Sequence, residues 1–217
     1  MRKVWILAIL SVLFIFMCGC ANEAATPDEQ SGETADAVTD LNADELAAFT
    51  DFFMQNENNG FLSTDFDNPA QIDLDMVFYN GAGFPNSGRQ EDIIGDAEKA
   101  AYLAATNAET DEIPGDLNKL TTDQLNSFLE QKTGLGLDEM ENPLTWDYLS
   151  EYDAWYFQHF DTNFIPCECV SGHRTADDQI VLDVVAAEGY GGFKGTVTLQ
   201  ETEDGYLFVS NQIEQAY

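Results

Sequence analysis

The chain has 217 residues, and its 40 acidic side chains against eight cationic ones give a formal charge of −32 at pH 7. A surface this acidic repels nucleic-acid phosphates and anionic lipid headgroups, which excludes DNA or RNA binding and membrane attachment through a basic patch. The length suffices for one domain of ordinary size.

The first 19 residues have the parts of a secretory leader. Arg2 and Lys3 form a positive n-region, and residues 4–17 are an apolar stretch, with Ser11 its one polar residue, that small or thiol residues follow. As a helix this stretch reaches about 21 Å, short of the roughly 30 Å hydrocarbon core of a bilayer. It therefore predicts a signal peptide over 1–19.

The run Met17-Cys18-Gly19-Cys20 resembles the lipobox of bacterial lipoproteins. This resemblance implies cleavage before Cys20 and attachment of diacylglycerol to its thiol. Losing the two leader cations leaves six cations against 40 acids, a formal charge of −34. The acyl chains then attach the protein to the membrane, as the acidic surface cannot. We expect a lipid-anchored protein on the extracytoplasmic face of the cell membrane; an ordinary secreted protein or an uncleaved anchor is the alternative.

Residues 20–40 are predicted to be the lipidated cysteine and an acidic tether. The stretch 21–40 contains six acids, no cation and a single large aliphatic residue, Val38. Such a composition cannot bury a core and predicts disorder. One folded domain is expected over 41–217, helical over 41–144 and rich in strands over 145–217.

Two helix starts share the same capping chemistry. Asn42 with Glu45, and Thr121 with Gln124, are capping-box pairs, and an apolar stripe follows each of them. The predicted helix ends are 58–60 and Gly134.

The stretch between these helices is less regular. A helix is predicted over 90–107 and a short helical turn over 137–141. In 72–79 apolar and polar residues mostly alternate, which favours a strand, although Asp73 is equally suited to cap a short helix.

Aromatic and β-branched residues punctuated by turn signals dominate from Trp146 onward. The short joins between the predicted strands favour antiparallel pairing as a meander. Helices followed by a sheet indicate an α+β fold, with the helices packed on one face of a curved antiparallel sheet. The closing hairpin is similar to the end of nuclear-transport-factor-2-like and cystatin-like cones. The predicted strands are 145–149, 154–160, 164–171, 179–187, 195–200 and 206–210.

The soft metal ligands of the domain fall within fifteen residues and comprise His159, Cys167, Cys169 and His173. Two thiols and two imidazoles are one of the usual ligand sets for zinc, and copper is also compatible with them. On a strand the two cysteines point to the same face. A local disulfide between Cys167 and Cys169, or free thiols that only pack, are the alternatives.

A dense aromatic run over 146–160 precedes these cysteines. Alternation places Trp155 and Tyr156 on opposite faces of a strand, and two apolar faces indicate a central strand covered by helices. Because the flexible loop at Tyr190 is glycine-rich, a ligand groove near Trp155, Tyr156 and Tyr190 is the functional hypothesis for this region. Core packing is the alternative.

Five segments of the chain are similar to a family of uncharacterised secreted lipoproteins from Clostridia-type Gram-positive bacteria: LNADELAAFTDFF, NNGFL, DLDMVFYNGAG, LNSFLEQKTGLGLDEM and YLSEYDAWYFQHFDTN. The resemblance covers most of 41–211 and implies a location and a fold, since the family has no assigned activity. Phe160 departs from the small residue expected after the histidine, which weakens a functional role for His159.

The sequence thus predicts a non-enzymatic binding or envelope-associated module held to the membrane by its lipid. A metal-binding protein is the first alternative, and a hydrolase of wall polymers or peptides is the second. The chain has no Gly-x-Ser-x-Gly elbow and no His-Glu-x-x-His motif, so no catalytic residue is assigned.

Overall fold

The computed structural model describes residues 38–79, 81–84, 87–89, 93–110, 112–159, 163–190 and 192–215. The predicted leader, the lipidation site at Cys20 and nearly all of the tether lie outside these residues. Thr39 and Asp40, at the end of the predicted tether, form strand β1.

Helices lie in the first two thirds of the described chain, and strands dominate the last third. The helices are α1 (Ala43–Phe53), α2 (Asn56–Asn59), α3 (Leu74–Phe78), α4 (Asp96–Ala105) and α5 (Thr122–Thr133). Short 3-10 turns occupy Gly60–Ser63, Pro69–Gln71, Gly81–Gly83 and Leu137–Glu139. The remaining strands are β2 (Ser87–Arg89), β3 (Asp116–Thr121), β4 (Asp147–Leu149), β5 (Ala154–His159), β6 (Cys167–Arg174), β7 (Gln179–Ala186), β8 (Lys194–Thr202) and β9 (Gly205–Gln215).

The strands form two antiparallel sheets, which confirms the α+β class. The first sheet has the order β1-β6-β7-β8-β9, and its last four strands are the predicted meander. The second sheet has the order β2-β3-β5-β4. Its strands β4 and β5 are correctly located by the sequence, but they do not belong to the meander.

The pairing of β5 explains this departure from a single meander. β5 has β3 on one edge and β4 on the other, so neither edge is open to β6 along its paired length. Pro166, which has no N–H to donate, directly precedes β6. β6 therefore begins a new sheet with β7. The interior position of β5 confirms the prediction of a central strand.

Both predicted capping boxes are present. The side chain of Asn42 accepts from the backbone N–H of Glu45 at 3.1 Å, and the Glu45 carboxylate accepts from the Asn42 N–H at 2.9 Å. Thr121 and Gln124 exchange the equivalent bonds at the start of α5. Gly134 ends α5 in the left-handed conformation, with φ +76°.

Two helix predictions and one strand prediction need correction. The first predicted helix is two, since α1 ends at Phe53 and α2 follows after a short break. Of the predicted helix over 90–107, the described residues form only α4 and one helical residue before it, Ile93. Within 72–79 the favoured strand is wrong and the capped-helix alternative is confirmed, because the Asp73 side chain accepts from the Met76 N–H and thereby caps α3.

Two hydrophobic clusters hold these layers together. In the first core, α1 packs against β6 and α5 against β9. Phe61 and Phe208 stack there with ring centroids 3.9 Å apart. The second core lies under α4 and contains Tyr102, Leu117 and Tyr156. The second sheet separates the two, because alternate residues of β5 pack into different cores.

Candidate ligand-binding cleft

A cleft of about 390 Å³ opens between α2, the turn at 81–84 and α5. Its lining combines two phenylalanine rings, Phe84 and Phe128, with polar and charged groups. These groups are Glu57, Asp123, Gln124, Ser127, Gln131 and Lys132. A concave surface with apolar walls and a few polar groups is the usual form of a small-molecule site.

The sequence of α5 positions the polar side of this cleft. Leu125 and Leu129 are fully buried in the first core, which fixes the rotation of the helix. Asp123, Ser127 and Gln131 then follow one another at intervals of four residues along the opposite, exposed side. These three side chains make no hydrogen bond or ion pair with any described residue, so they are available to a ligand.

A buried lysine lies at the end of the cleft. Lys132 is only 6% exposed. Its Nζ donates to Glu57 Oε1 at 2.8 Å and to Asn58 Oδ1 at 2.7 Å. The same nitrogen lies 5.9 Å from the ring centroids of Phe52 and Phe128. Since burying an ammonium costs several kcal/mol, these four contacts are what make its position tolerable.

Sequence reasoning missed this lysine, although a signal was present. Leu125, Phe128, Leu129 and Lys132 stand at positions i, i+3, i+4 and i+7, the pattern of a single buried helix face. A cation at the fourth position of such a stripe must find a partner away from water. Its partners come from α2, more than 70 residues earlier in the chain, which the pattern alone cannot reveal.

The structure does not bring the four predicted metal ligands together. Among the residues that the structure describes, no three His, Cys, Asp or Glu side chains are placed to hold a metal ion. His159 ends β5 in the second sheet, and its ring meets Tyr79 edge-on at 5.8 Å. Cys167, Cys169 and His173 belong to β6 in the first sheet. His159 is therefore in a different sheet from the other three residues, although all four are close in sequence.

Cys167 and Cys169 are free thiols, contrary to the disulfide alternative. They do share one face of β6, as predicted, and both are buried in the first core. Their α-carbons are about 6.6–6.8 Å apart in an extended strand, at the upper limit for a disulfide, and no local turn shortens that separation. Burial raises the pKa of Cys167 to about 12 and that of Cys169 to about 11.

The predicted groove at Trp155, Tyr156 and Tyr190 does not exist as one surface. Tyr156 is fully buried in the second core, where its hydroxyl donates to Glu98. Trp155 points to the other face of β5, where its ring lies 4.8 Å from that of Tyr148. Tyr190 is 58% exposed in the turn after β7. Alternation along β5 separates the first two, so the hypothesis of a shared groove is wrong.

No protein-family model, curated protein or solved structure matches this chain. No helix within the described ranges is both long enough and apolar enough to cross a membrane. The interpretation of the cleft therefore depends on its own geometry and chemistry.

Proposed function

We propose that this protein is a lipid-anchored, extracytoplasmic binding module whose ligand occupies the cleft on α5. The observation that carries the proposal is a row of polar side chains, Asp123, Ser127 and Gln131, which have no partner among the described residues and lie beside two phenylalanine rings in one concave surface. The lipobox-like run ending at Cys20 supports the anchored location.

The charge of the cleft indicates the class of ligand. Glu57 and Asp123 are acidic, and the positive charge of Lys132 is already paired with Glu57. Together with the formal charge of −34 on the mature chain, this disfavours anionic ligands. A hydroxyl, an amide and a carboxylate supply both donors and acceptors for a neutral, hydrogen-bonding ligand. A saccharide fits this lining, since its hydroxyls match the polar row and its C–H face matches a phenylalanine ring.

The hydrolase alternative has less support. A general acid needs a carboxyl group with a raised pKa. Among the described residues, the carboxyl groups with a shifted pKa are Glu45 and Asp153, and both values are lowered. A hydrogen bond from the Asn42 N–H lowers the pKa of Glu45, and one from the Thr122 hydroxyl lowers that of Asp153. The raised pKa values of Cys167 and Cys169 make both thiols poor nucleophiles.

The proposal is tested by titrating the mature chain, residues 20–217, with oligomers of N-acetylglucosamine and following its amide NMR signals. We expect saturable shifts that cluster on α5 and at 81–84. Gln131→Ala should weaken binding about five- to tenfold through the loss of one net hydrogen bond. Glu130→Ala is the matched control, because Glu130 is exposed on the same helix and does not line the cleft.

Two results would contradict the proposal. One is the absence of shifts at millimolar saccharide, and the other is an equal loss of affinity in both variants. Either would leave α5 as a structural helix with an ordinary solvated face.

A further inference from the structure

Lys132, Asn58 and Glu57 form a triad with a chemistry of its own, apart from ligand binding. The Lys132 ammonium donates to Glu57 Oε1 at 2.8 Å and to the side-chain carbonyl oxygen of Asn58 at 2.7 Å. The triad thus brings an amine, a carboxylate and a carboxamide into direct contact. An amine and a carboxamide are the reactants from which a new amide bond can form, and a carboxylate can carry the protons of that reaction.

The amine is close to the carbon atom that it would attack. A carbonyl bond is about 1.2 Å long, so Lys132 Nζ lies no more than about 3.9 Å from Asn58 Cγ. Reacting atoms held about 3–3.5 Å apart are in position for attack, which replaces a chance collision in solution. The carboxamide is itself held, since Asn58 Nδ2 donates to the Phe52 carbonyl at 2.9 Å. A small movement of the lysine side chain therefore suffices for the reaction.

The surroundings of the triad keep water away. Asn58 is fully buried, and Lys132 is 6% exposed. The ring centroids of Phe52 and Phe128 each lie 5.9 Å from Lys132 Nζ. Apolar surroundings disfavour an ammonium ion and favour transfer of its proton to a carboxylate, which leaves the neutral amine that acts as a nucleophile. Water also competes poorly with the lysine for the Asn58 carbonyl in such a site.

Two other ion-paired lysines lack this arrangement. Lys119 contacts Glu98 at 2.6 Å and Lys194 contacts Glu214, but within the described part of the chain neither ammonium donates to a side-chain amide. Their side chains are 22% and 52% exposed, against 8% for Lys132. Among these three lysines, a buried amine and an amide carbonyl therefore coincide only at Lys132.

We propose that Lys132 and Asn58 form an intramolecular isopeptide bond, with Glu57 as the proton carrier. Glu57 accepts a proton from Nζ, and the lone pair of the neutral amine attacks Asn58 Cγ. The bond from Cγ to Nδ2 then breaks, and Nδ2 leaves with that electron pair. Nζ gives up two protons in all and Nδ2 receives two. The products are therefore an amide, one ammonium ion and the original Glu57 carboxylate, and the reaction needs no oxidant or co-reactant.

The bond connects two walls of the cleft, since Asn58 belongs to α2 and Lys132 to α5. It joins residues 74 positions apart, and a cross-link over such a loop restricts the unfolded chain as a disulfide does. The described cysteines are free thiols, so they supply no such cross-link. Before the bond forms, Lys132 and Glu57 are the ion pair described above, and stability measurements on that pair require protein of full mass.

The test is the intact mass of the folded mature chain, residues 20–217, measured after reduction and denaturation. Loss of ammonia makes a cross-linked chain lighter by about 17 Da. Trypsin does not cleave after an acylated lysine, so the segment 20–89 should be recovered joined to 120–174. We expect purified folded protein to have the lighter mass, and any fraction of full mass to convert on incubation.

Matched substitutions identify the reacting groups. Lys132→Met removes the nucleophile and should abolish the loss of mass, whereas Lys194→Met, which removes another ion-paired lysine, should not. Glu57→Gln should slow bond formation about 100-fold or more, because proton transfer by a positioned side chain contributes about 100- to 10,000-fold. Glu214→Gln is its control, since Glu214 pairs with a lysine outside the triad. Circular dichroism verifies that each variant is folded.

Three outcomes would overturn the proposal. Full mass in the folded wild-type chain after prolonged incubation would show that the triad remains an ion pair. A loss of mass that persists in Lys132→Met would come from an asparagine that cyclises on its own backbone. Equal rates in the wild type and in Glu57→Gln would remove the carboxylate from the reaction. Saccharide binding is read from NMR shifts and this bond from mass, so either proposal can fail alone.

Discussion

The ion pair between Lys132 and Glu57 allows a quantitative test of how the cleft is built. Replacing Lys132 by methionine keeps most of the side-chain volume and removes the charge. Glu57 is half-exposed, so its carboxylate regains water at little cost. Asn58 is fully buried, however, and its Oδ1 loses the donor that lies 2.7 Å away.

The magnitude follows from these opposing effects. A buried acceptor without a partner costs about 1–3 kcal/mol. Methionine offsets part of this loss, because it no longer buries an ammonium and its sulfur packs well between the rings of Phe52 and Phe128. We expect Lys132→Met to lower the free energy of unfolding by about 1–2 kcal/mol.

Glu57→Gln provides the second arm of a double-mutant cycle. The ammonium keeps a hydrogen-bond acceptor but loses its counter-charge while it remains 6% exposed. A fully buried pair broken in this way loses about 3–5 kcal/mol, and the half-exposed carboxylate reduces the expected loss to about 1–2 kcal/mol. In the Lys132→Met background the same change should have almost no effect, which gives a coupling energy of about 1 kcal/mol or more.

Urea denaturation at pH 7, followed by tryptophan fluorescence and circular dichroism, measures all four proteins. Unchanged m-values would show that the comparison concerns the folded state. A coupling energy near zero would refute the reasoning, since the pair would then add nothing to the cleft. A loss above about 4 kcal/mol for Lys132→Met would also refute it, because methionine could not then replace the buried stem.

Three further predictions concern packing, titration and anchoring. Gly60→Ala should destabilise the fold by about 3 kcal/mol or more in urea melts, because a β-carbon there would lie 2.8 Å from an α-carbon of α3. Gly95→Ala is the control, and it should change stability much less because the space around Gly95 is open. Burial raises the pKa values of Cys167 and Cys169 above their ordinary range, so the unfolded chain loses these protons at a lower pH than the folded chain. The free energy of unfolding should therefore fall by up to about 1.4 kcal/mol per pH unit per thiol as the pH rises from about 9 to 11. The control is a variant with alanine at both positions. Cys20→Ser should release the protein from the membrane fraction of a Gram-positive host, and retention there would refute the lipid anchor.

The elements that the sequence predicts well are those set by local chemistry. Each capping box involves residues three apart, and each strand of the meander alternates over a short span, so both patterns are complete within a few residues. The same alternation is misleading at 72–79, where the Asp73 cap and the buried positions of Leu74, Val77 and Phe78 favour a helix. Two local signals compete there, and capping prevails.

The second sheet could not be predicted because its stability depends on distant partners. β3 has the sequence DLNKLT, whose Asn118 and Lys119 make it a weak strand pattern. The fold satisfies both, since Asn118 Nδ2 donates to the Tyr79 carbonyl at 2.8 Å and Lys119 pairs with Glu98. Neither partner is adjacent in sequence, so the pattern alone points away from a strand.

The candidate sites were also hard to predict, because the fold decides which residues lie close together. The cysteine–histidine cluster is conspicuous because its members are close in sequence, yet β5 and β6 belong to different sheets. The aromatic run over 146–160 is a better indicator, since Trp146, Tyr156 and Phe157 do line a cavity.

The large negative charge of the protein offers a further test of the ligand class proposed for the cleft on α5. A charged ligand is attracted or repelled by the whole protein, and salt screens that interaction beyond a Debye length, about 30 Å at 0.01 M and 3 Å at 1 M. A neutral saccharide experiences no such field. Raising the salt concentration from about 0.02 M to 0.5 M should therefore leave saccharide binding nearly unchanged. If the affinity changed severalfold with salt, the assignment of a neutral ligand to this cleft would be wrong, because the net charge acts only on a charged one.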